Sequence, residues 1–157
     1  MNDKLLEVAQ TLKKSLLLLK RDMDASLSPY NLTSAQMFVL SSVARKTGPM
    51  TGADLARLGH ISPQATQTLI TGLEKRGFIE RHKHSSNEKI LLLDLTKKGQ
   101  GLIEKASPER MKVFKKMMTG FSTAELETFQ GFLERFIVNL ESDPSLPVKM
   151  ARKSRGK

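Results

Sequence analysis

The sequence of 157 residues contains no cysteine, and its longest leucine run covers only Leu16–Leu19. Without cysteine the chain cannot build a disulfide framework, a thiolate zinc site, a cysteine nucleophile or a cysteine-based redox sensor. A bilayer span needs about 20 consecutive apolar residues, and lysines interrupt the N-terminal segment before a signal-peptide core could form. We therefore expect a soluble, cytoplasmic protein without a membrane segment.

Acidic residues are scarce relative to basic ones. The chain has 26 Lys and Arg against 16 Asp and Glu, which gives a formal net charge of +10. The excess is uneven, because residues 28–98 and residues 148–157 each carry a net charge of +5 and the remaining blocks are nearly neutral. Such a concentration of positive charge predicts a negatively charged partner for the middle block.

Two long amphipathic helices are predicted near the ends of the chain. Apolar residues recur at alternating spacings of four and three within residues 1–27, and the same spacing follows an S-x-x-E capping box at Ser122–Glu125. The two stripes could pack on each other or form a shared homodimer interface. We favour the dimer because the short domain between the helices offers too little surface to cover both stripes. The residues assigned to the interface are Leu5, Leu12, Leu16, Leu19, Leu126, Phe129, Leu133, Phe136 and Leu140.

Residues 96–119 also follow a helical pattern, which Ser107-Pro108 interrupts. Because proline lacks a backbone donor and clashes with the preceding turn, we expect either a kink or a new helix capped by Ser107. The Met and Phe residues of this region are most simply core. A hydrophobic ligand cleft lined by them is the alternative.

The middle block, residues 28–98, predicts three short helices and a hairpin. Capping residues and glycine or proline stop signals frame the helices: Thr33 to Gly48-Pro49, Thr51 to Gly59, and Ser62-Pro63 to Gly77. Residues 78–83 and 89–95 have strand patterns on either side of a polar turn. A helix-turn-helix followed by a hairpin is a winged helix.

Short motifs run through this block in a fixed order: Leu32-Thr33 with Gln36, Val39-Leu40, Asp54–Ala56, Leu69-Ile70, Leu73–Arg81 and Leu95–Gly99. In this order and spacing they resemble the MarR family of winged helix-turn-helix transcription regulators, over about residues 3–140. The expected fold is mainly α with a small β-hairpin wing (α+β). The resemblance implies a DNA-binding domain at 28–98 and dimerisation helices at 1–27 and 99–142. The composition of residues 143–157 predicts a basic, disordered tail.

Two positions depart from the family pattern. The family usually has D-x-R in the wing, where this sequence has Asn87 and Lys89. Lys89 keeps the charge but lacks a planar guanidinium, so we expect weaker reading of a narrow minor groove and relatively more phosphate contact. Gly72 stands where the family commonly has a long polar or basic residue, at a cost of ~1 kcal/mol relative to Ala. It marks either a close backbone approach to DNA or another helix, or tolerated drift.

The third helix of the block predicts two faces. The face spaced i, i+3, i+4 and i+7 should meet the core, and it consists of Thr66, Leu69, Ile70 and Leu73. The opposite polar face is either merely solvated or reads bases in the major groove, where Gln can pair with adenine N6 and N7. Because a helix N-terminus and wing lysines converge there, we favour DNA. Base reading is assigned to Gln64, Ala65, Gln67, Thr68 and Thr71, and backbone or wing contact to Arg57, Ser62, Arg81, Lys83, Asn87 and Lys89.

Three histidines, His60, His82 and His84, could suggest a metal site. A structural zinc site needs four ligands, and no cysteine or nearby acidic residue completes this set. Contact with phosphate, or simple exposure, explains the histidines better. No nucleophile elbow, phosphate loop or H-E-x-x-H motif is present. We therefore expect no metal, no cofactor and no enzymatic activity.

We expect a sequence-specific transcription regulator, most simply a repressor, that binds double-stranded DNA as a homodimer on an inverted repeat. The family resemblance implies that a small aromatic effector, bound between the dimer helices and the winged domain, lowers DNA affinity. Two alternatives remain open. One is a winged-helix module that docks a protein, and the other is a non-specific, architectural DNA binder that relies on its basic tail.

Overall fold

The computed structural model describes residues 2–141, so the predicted basic tail lies outside the described residues. Within this range the chain forms six α-helices, a 3₁₀ turn and a two-stranded antiparallel hairpin, which confirms the predicted fold class. The elements are α1 (Asn2–Leu27), the 3₁₀ turn (Ser28–Tyr30), α2 (Ser34–Ala44), α3 (Gly52–Gly59), α4 (Pro63–Lys75), β1 (Ile79–His84), β2 (Asn87–Leu95), α5 (Lys97–Met117) and α6 (Thr123–Glu141). No helix of residues 2–141 is long and apolar enough to cross a membrane.

The predicted helix caps are present. Thr33, Thr51 and Ser62 each accept a hydrogen bond from the backbone N–H three residues later, at 3.2, 3.2 and 3.1 Å. At Thr33 and Thr51 the partner side chain bonds back to the cap N–H, which completes two capping boxes. These local bonds satisfy donors that a helix leaves unpaired at its first turn, so they define where α2, α3 and α4 begin.

The end of α3 agrees with the sequence prediction. Gly59 is the last helical residue, and His60, which follows it, takes the left-handed conformation with φ 49°. A Cβ on Gly59 would lie 2.7 Å from the ring of Phe38. Gly59 is therefore small because α2 packs closely against it, and the left-handed residue beyond the helix is His60.

Pro108 lies inside α5, where the sequence predicts either a kink or a new helix. The helix continues from Lys97 to Met117 with Pro108 inside it, so the predicted restart at Ser107 is wrong. Pro108 cannot donate to the carbonyl of Glu104, but both residues are exposed, where water can replace the lost donor. The neighbouring Ala106 is fully buried, and its packing holds this stretch in helical form.

One hydrophobic core joins the last turn of α1, the helices α2 to α4, the hairpin and part of α5. Its α4 members confirm the predicted inner face, with Thr66, Ile70 and Leu73 buried and Leu69 half-buried. Burial of each large aliphatic side chain contributes about 2 kcal/mol. The largest fully buried side chains are Leu27, Met37, Val39, Leu40, Leu55, Thr66, Ile70, Leu73, Ile79 and Leu93.

The hairpin connects to its flanking helices through a tight junction. Gly77 follows α4 with φ 73°, and the Phe78 N–H donates to the Leu73 carbonyl at 3.0 Å. The Thr96 hydroxyl donates to the Gly77 carbonyl at 2.7 Å and accepts from the Gly99 N–H at 3.0 Å. Gly99 is buried so close to the Phe78 carbonyl that any Cβ would collide with that backbone oxygen. The start of α5 is thereby fixed to the end of α4.

The chain divides into two compact units, one ending at Met117 and the other starting at Met118. In the first unit α1 packs on α5, yet its N-terminal two thirds leaves large apolar side chains exposed, among them Leu5, Leu6, Val8, Leu16, Leu17 and Leu18. In the second unit α6 has no buried residue, and Phe129, Phe132, Phe136, Ile137, Val138 and Leu140 are exposed. Of the predicted interface residues, Leu12, Leu19, Leu126 and Leu133 are half-buried and the other five are exposed.

Two glycines of α5 give a matched test of the junction. Gly99→Ala should lower the free energy of unfolding by at least about 2 kcal/mol, because the new methyl must displace the Phe78 backbone. Gly101→Ala places its methyl in open space and should raise the free energy of unfolding by ~1 kcal/mol through helix propensity. Urea unfolding followed by circular dichroism measures both. Equal effects of the two substitutions would contradict this account of the junction.

Candidate nucleic-acid interface

The polar face of α4 is exposed as predicted. Burial of Thr66, Ile70 and Leu73 turns the opposite side outward, and Gln64, Ala65, Gln67 and Thr68 are exposed there. Thr71 is half-buried and belongs to the rim of this face. Ser62 caps the helix N-terminus, whose N–H groups provide a favourable site for an anion such as a phosphate. The helix therefore presents hydrogen-bonding side chains that no part of the core uses.

Arg57 lies on α3, the helix that precedes α4. Its guanidinium is about half exposed and pairs with the carboxylate of Asp54. Burial raises the pKa of Asp54, but hydrogen bonds from Thr51 and Arg57 outweigh burial and hold that pKa below its ordinary value. Asp54 is thus ionised at neutral pH, and it orients Arg57 on the surface next to the first turn of α3.

The hairpin carries the other predicted backbone contacts. Lys83 pairs with Glu88 at 2.8 Å near the tip, where both side chains are largely exposed. Lys89 is exposed, and its ammonium makes no contact with Asn87, whose side-chain oxygen instead accepts the Lys89 backbone N–H at 3.0 Å. Asn87 therefore closes the turn of the wing and does not hold the cation beside it. The ammonium of Lys89 is available to a phosphate.

The base of the wing is tied to the loop between α2 and α3. The Lys46 ammonium donates to the Leu93 carbonyl at 2.6 Å and also to the carboxylate of Asp94. His82 Nδ1 lies 3.1 Å from the other oxygen of that carboxylate. The Leu93 N–H donates to the Met50 carbonyl at 2.9 Å, so the loop continues the sheet beside β2. Sequence reasoning missed Lys46, because no local pattern reveals a contact across 48 residues.

The sequence pattern assigns Arg81 to phosphate contact, but its guanidinium faces α4. Its side chain is only 18% exposed, and Nη2 lies 3.0 Å from a carboxylate oxygen of Glu74 and 3.0 Å from the hydroxyl of Thr71. The Nε atom is buried without a hydrogen-bond partner among the described residues. Arg81 therefore adds to the net positive charge of residues 28–98, but its hydrogen-bond donors point toward α4.

Within residues 2–141 no group of three or more His, Asp or Glu side chains could hold a metal ion. His82 pairs with Asp94, and His84 Nδ1 accepts from the Ser86 N–H at 3.2 Å, so both histidines serve the hairpin. His60 forms the left-handed end of α3.

A cavity of about 350 Å³ lies between α1, α2 and α5. Its walls are mostly apolar, but Arg45 and Arg110 also line it. Arg110 donates to the hydroxyl of Ser41 at 2.8 Å, and its Nε is buried without a partner among the described residues. Burial, followed by the positive charge of Arg45, lowers the pKa of Arg110 from its ordinary value. Lys20 also lines the cavity but pairs with Asp24, so Arg45 and Arg110 are the two cations that favour a negatively charged ligand. The apolar lining consists of Leu16, Leu19, Met23, Met37, Phe38 and Phe114.

A family model described as the MarR family matches residues 32–91, from just before α2 to the middle of β2. Among curated proteins, the chain is 25% identical over 115 residues to the uncharacterized HTH-type transcriptional regulator YwhA of Bacillus subtilis, covering 73% of this chain and 82% of that protein. It is 26% identical over 117 residues to the HTH-type transcriptional repressor Rv2887 of Mycobacterium tuberculosis, covering 74% and 84%.

Solved structures share the fold. AbsC, a MarR family transcriptional regulator from Streptomyces coelicolor, superposes with a TM-score of 0.83 at 20% identity, covering 91% of this chain and 98% of that one. A mutant MarR from E. coli complexed with operator DNA gives 0.78 at 18% identity, covering 87% and 98%. Rv2887 complexed with salicylic acid gives 0.63 at 25% identity, covering 80% and 93%. The matched part of this chain is longer than the winged domain in each case, so the similarity also includes the flanking helices.

Replacing Lys46 tests whether it holds the wing. Lys46→Met keeps most of the side-chain volume but removes the ammonium, and it should lower the free energy of unfolding by about 1–2 kcal/mol, because hydrogen bonds to charged groups are the stronger ones. Lys83→Met is the matched control, since its pair is 63% and 78% exposed and should contribute less than about 0.5 kcal/mol. Urea unfolding and hydrogen exchange at the Leu93 amide measure the effect. Unchanged exchange in Lys46→Met would refute the role.

Proposed function

Because the chain belongs to the MarR family of winged helix-turn-helix transcription regulators, we propose that it is a sequence-specific repressor that binds an inverted-repeat operator as a homodimer. As a member of a regulator family it is not an enzyme, in agreement with the sequence. Like the bacterial regulators it resembles, it would meet its operator in the cytoplasm.

The observation that carries the proposal is the exposed polar face of α4 beside cations of α3 and the wing. Gln64, Gln67 and Thr68 offer exposed hydrogen-bonding side chains to base edges, while the exposed cations Arg57 and Lys89 are available to phosphates. The relative in E. coli, which shares the fold, has been seen with operator DNA. The relative in Mycobacterium tuberculosis is a transcriptional repressor by name.

The homodimer is supported by the apolar side chains that α1 and α6 leave exposed. Several large apolar side chains exposed along one helix usually mark an interface. A twofold dimer would place the two α4 helices in successive major grooves, about 34 Å apart, so the operator would be an inverted repeat.

Selection of duplex sites from a random pool tests these points together. We expect an enriched inverted repeat and, by analytical ultracentrifugation, a dimer at micromolar protein. Absence of binding even at low salt would favour the protein-docking alternative. If binding enriches no sequence and Gln64→Ala and Gln67→Ala leave the affinity unchanged, the chain is a non-specific binder. A monomer at micromolar protein would overturn the dimer.

Salt dependence tests the assignment of Lys89 to a phosphate. Lys89→Met should lower the slope of log K against log salt by about 0.9 for each phosphate that is no longer neutralised, hence by about 1.8 in a dimer. Lys14→Met, which removes an equal charge from an exposed position of α1, is the matched control and should leave the slope unchanged. Fluorescence anisotropy at several salt concentrations provides the measurement, and equal slopes for wild type and Lys89→Met would rule out this role of Lys89.

The cavity between α1, α2 and α5 supports release by a small aromatic effector. Its apolar walls suit a ring, and Arg45 and Arg110 suit a carboxylate. Rv2887, which shares the fold, has been seen with salicylic acid. An occupant of this cavity would contact α1 and α5 on one side and α2 on the other, so it could shift the helices that carry the DNA-binding domain.

Titration with salicylate, followed by calorimetry and by DNA binding, tests the effector proposal. We expect binding that weakens operator affinity, and at least about tenfold weaker salicylate binding for Arg110→Met, because a charge-assisted hydrogen bond contributes about 1.5–3 kcal/mol. Lys112→Met on the same helix removes a charge that pairs with Glu109 outside the cavity and serves as the control. Equal salicylate affinity of the two variants would argue against this cavity.

A further inference from the structure

The side-chain amide of Gln67 faces the guanidinium of Arg81. Gln67 lies one turn before Thr71 on the exposed face of α4, and Nη1 and Nη2 of Arg81 approach one atom of its amide at 2.8 and 3.0 Å. A guanidinium has only donors, so the amide atom that faces it must be the carbonyl oxygen. The hydroxyl of Thr71 donates to the same oxygen at 3.3 Å. The acceptor of Gln67 is therefore fully engaged inside the protein.

Arg81 is itself held in place. Glu74, one turn beyond Thr71, accepts from its Nη2 at 3.0 Å. Its neighbour across the hairpin is Leu93, which is fully buried, so the β1 backbone at this position is fixed to the core. With its side chain only 18% exposed, the guanidinium has little freedom to turn toward a phosphate.

An engaged oxygen leaves the Gln67 amide with only its N–H₂ group directed outward, and the residue is exposed. We propose that Arg81 is a positioning residue that makes Gln67 an obligate hydrogen-bond donor, so that Gln67 reads an acceptor edge of DNA. In the major groove this means guanine O6 and N7 or thymine O4. Adenine, the partner expected from the sequence, also offers an acceptor at N7, but Gln67 has no free oxygen for the N6 donor, so the paired contact is lost and the donor is left unpaired.

Gln64 provides an internal comparison. It lies on the same face, but no side-chain contact among the described residues engages its amide, whose oxygen and nitrogen both remain available to a base. The two glutamines of one helix thus differ in what they can recognise. Only Gln67 is restricted, because only Gln67 lies beside β1.

This inference rests on the proposed DNA binding, and the first test uses the wild-type chain. After site selection, the base pair that Gln67 reads is the pair whose preference Gln67→Ala removes. Anisotropy titrations on duplexes that carry each of the alternatives at that pair should then show guanine or thymine favoured over adenine by about tenfold. A preference for adenine, or no pair sensitive to Gln67→Ala, overturns the inference.

Removal of the guanidinium tests the role of Arg81. Arg81→Met frees the Gln67 amide to rotate, so the discrimination against adenine should fall from about tenfold to below about threefold. Lys83→Met removes an equal charge from the same strand and should weaken binding to all duplexes by the same factor without changing the preference. Unchanged discrimination in Arg81→Met, or its loss in Lys83→Met, contradicts the proposal.

Gln67→Glu keeps an oxygen toward Arg81 and replaces the outward N–H₂ by a second oxygen, so it tests the proposal even if Arg81→Met does not fold. Its preference should move from guanine or thymine to cytosine or adenine, whose N4 and N6 groups are donors. A retained preference refutes the inference.

If the wild-type chain binds no duplex at low salt, the proposed function fails and this inference with it. If it binds and selects a site in which Gln67 prefers adenine, only the inference fails.

Discussion

The close approach between Gly99 and the carbonyl of Phe78 is the constraint on which the arrangement of the first unit depends. At this point the chain leaves α4, forms the wing and enters α5, and the Thr96 hydroxyl bridges both sides of the junction. Because backbone meets backbone without a side chain between, a rotation of α5 about this point must carry Phe78 and the end of α4 with it. The contact between Gly99 and Phe78 therefore helps to fix the orientation of the polar face of α4.

Local signals in the sequence predicted the helix caps, the hairpin and the inner face of α4, because each depends on residues within one or two turns. One of the two expectations for Pro108, a new helix capped by Ser107, was wrong, because α5 continues through Pro108 beside the fully buried Ala106. The side-chain partners of the site could not be predicted. Strand alternation indicated neither that Arg81 faces α4 nor that Lys46 reaches across to the wing.

The positive charge of the middle block falls into two physical classes. Lys83 and Lys89 are exposed on the wing and respond mainly to the potential of a polyanion. Lys46 and Arg81 are mostly buried, paired with carboxylates and committed to holding the wing and the face of α4. The net charge of +5 counts both classes equally, although only the first can release counterions from DNA. In the proposed complex with DNA, specificity and affinity would therefore depend on different cations of this segment.

Arg45 and Lys46 are consecutive residues with different tasks. The Arg45 side chain lines the cavity between α1, α2 and α5, while the Lys46 ammonium holds the base of the wing. Consecutive Cα atoms are about 3.8 Å apart and are joined by a planar peptide bond. Because a peptide bond joins the two residues, a displacement of one is transmitted to the other directly and needs no intervening side chains. The two residues that follow α2 therefore connect the open cavity directly to the base of the wing.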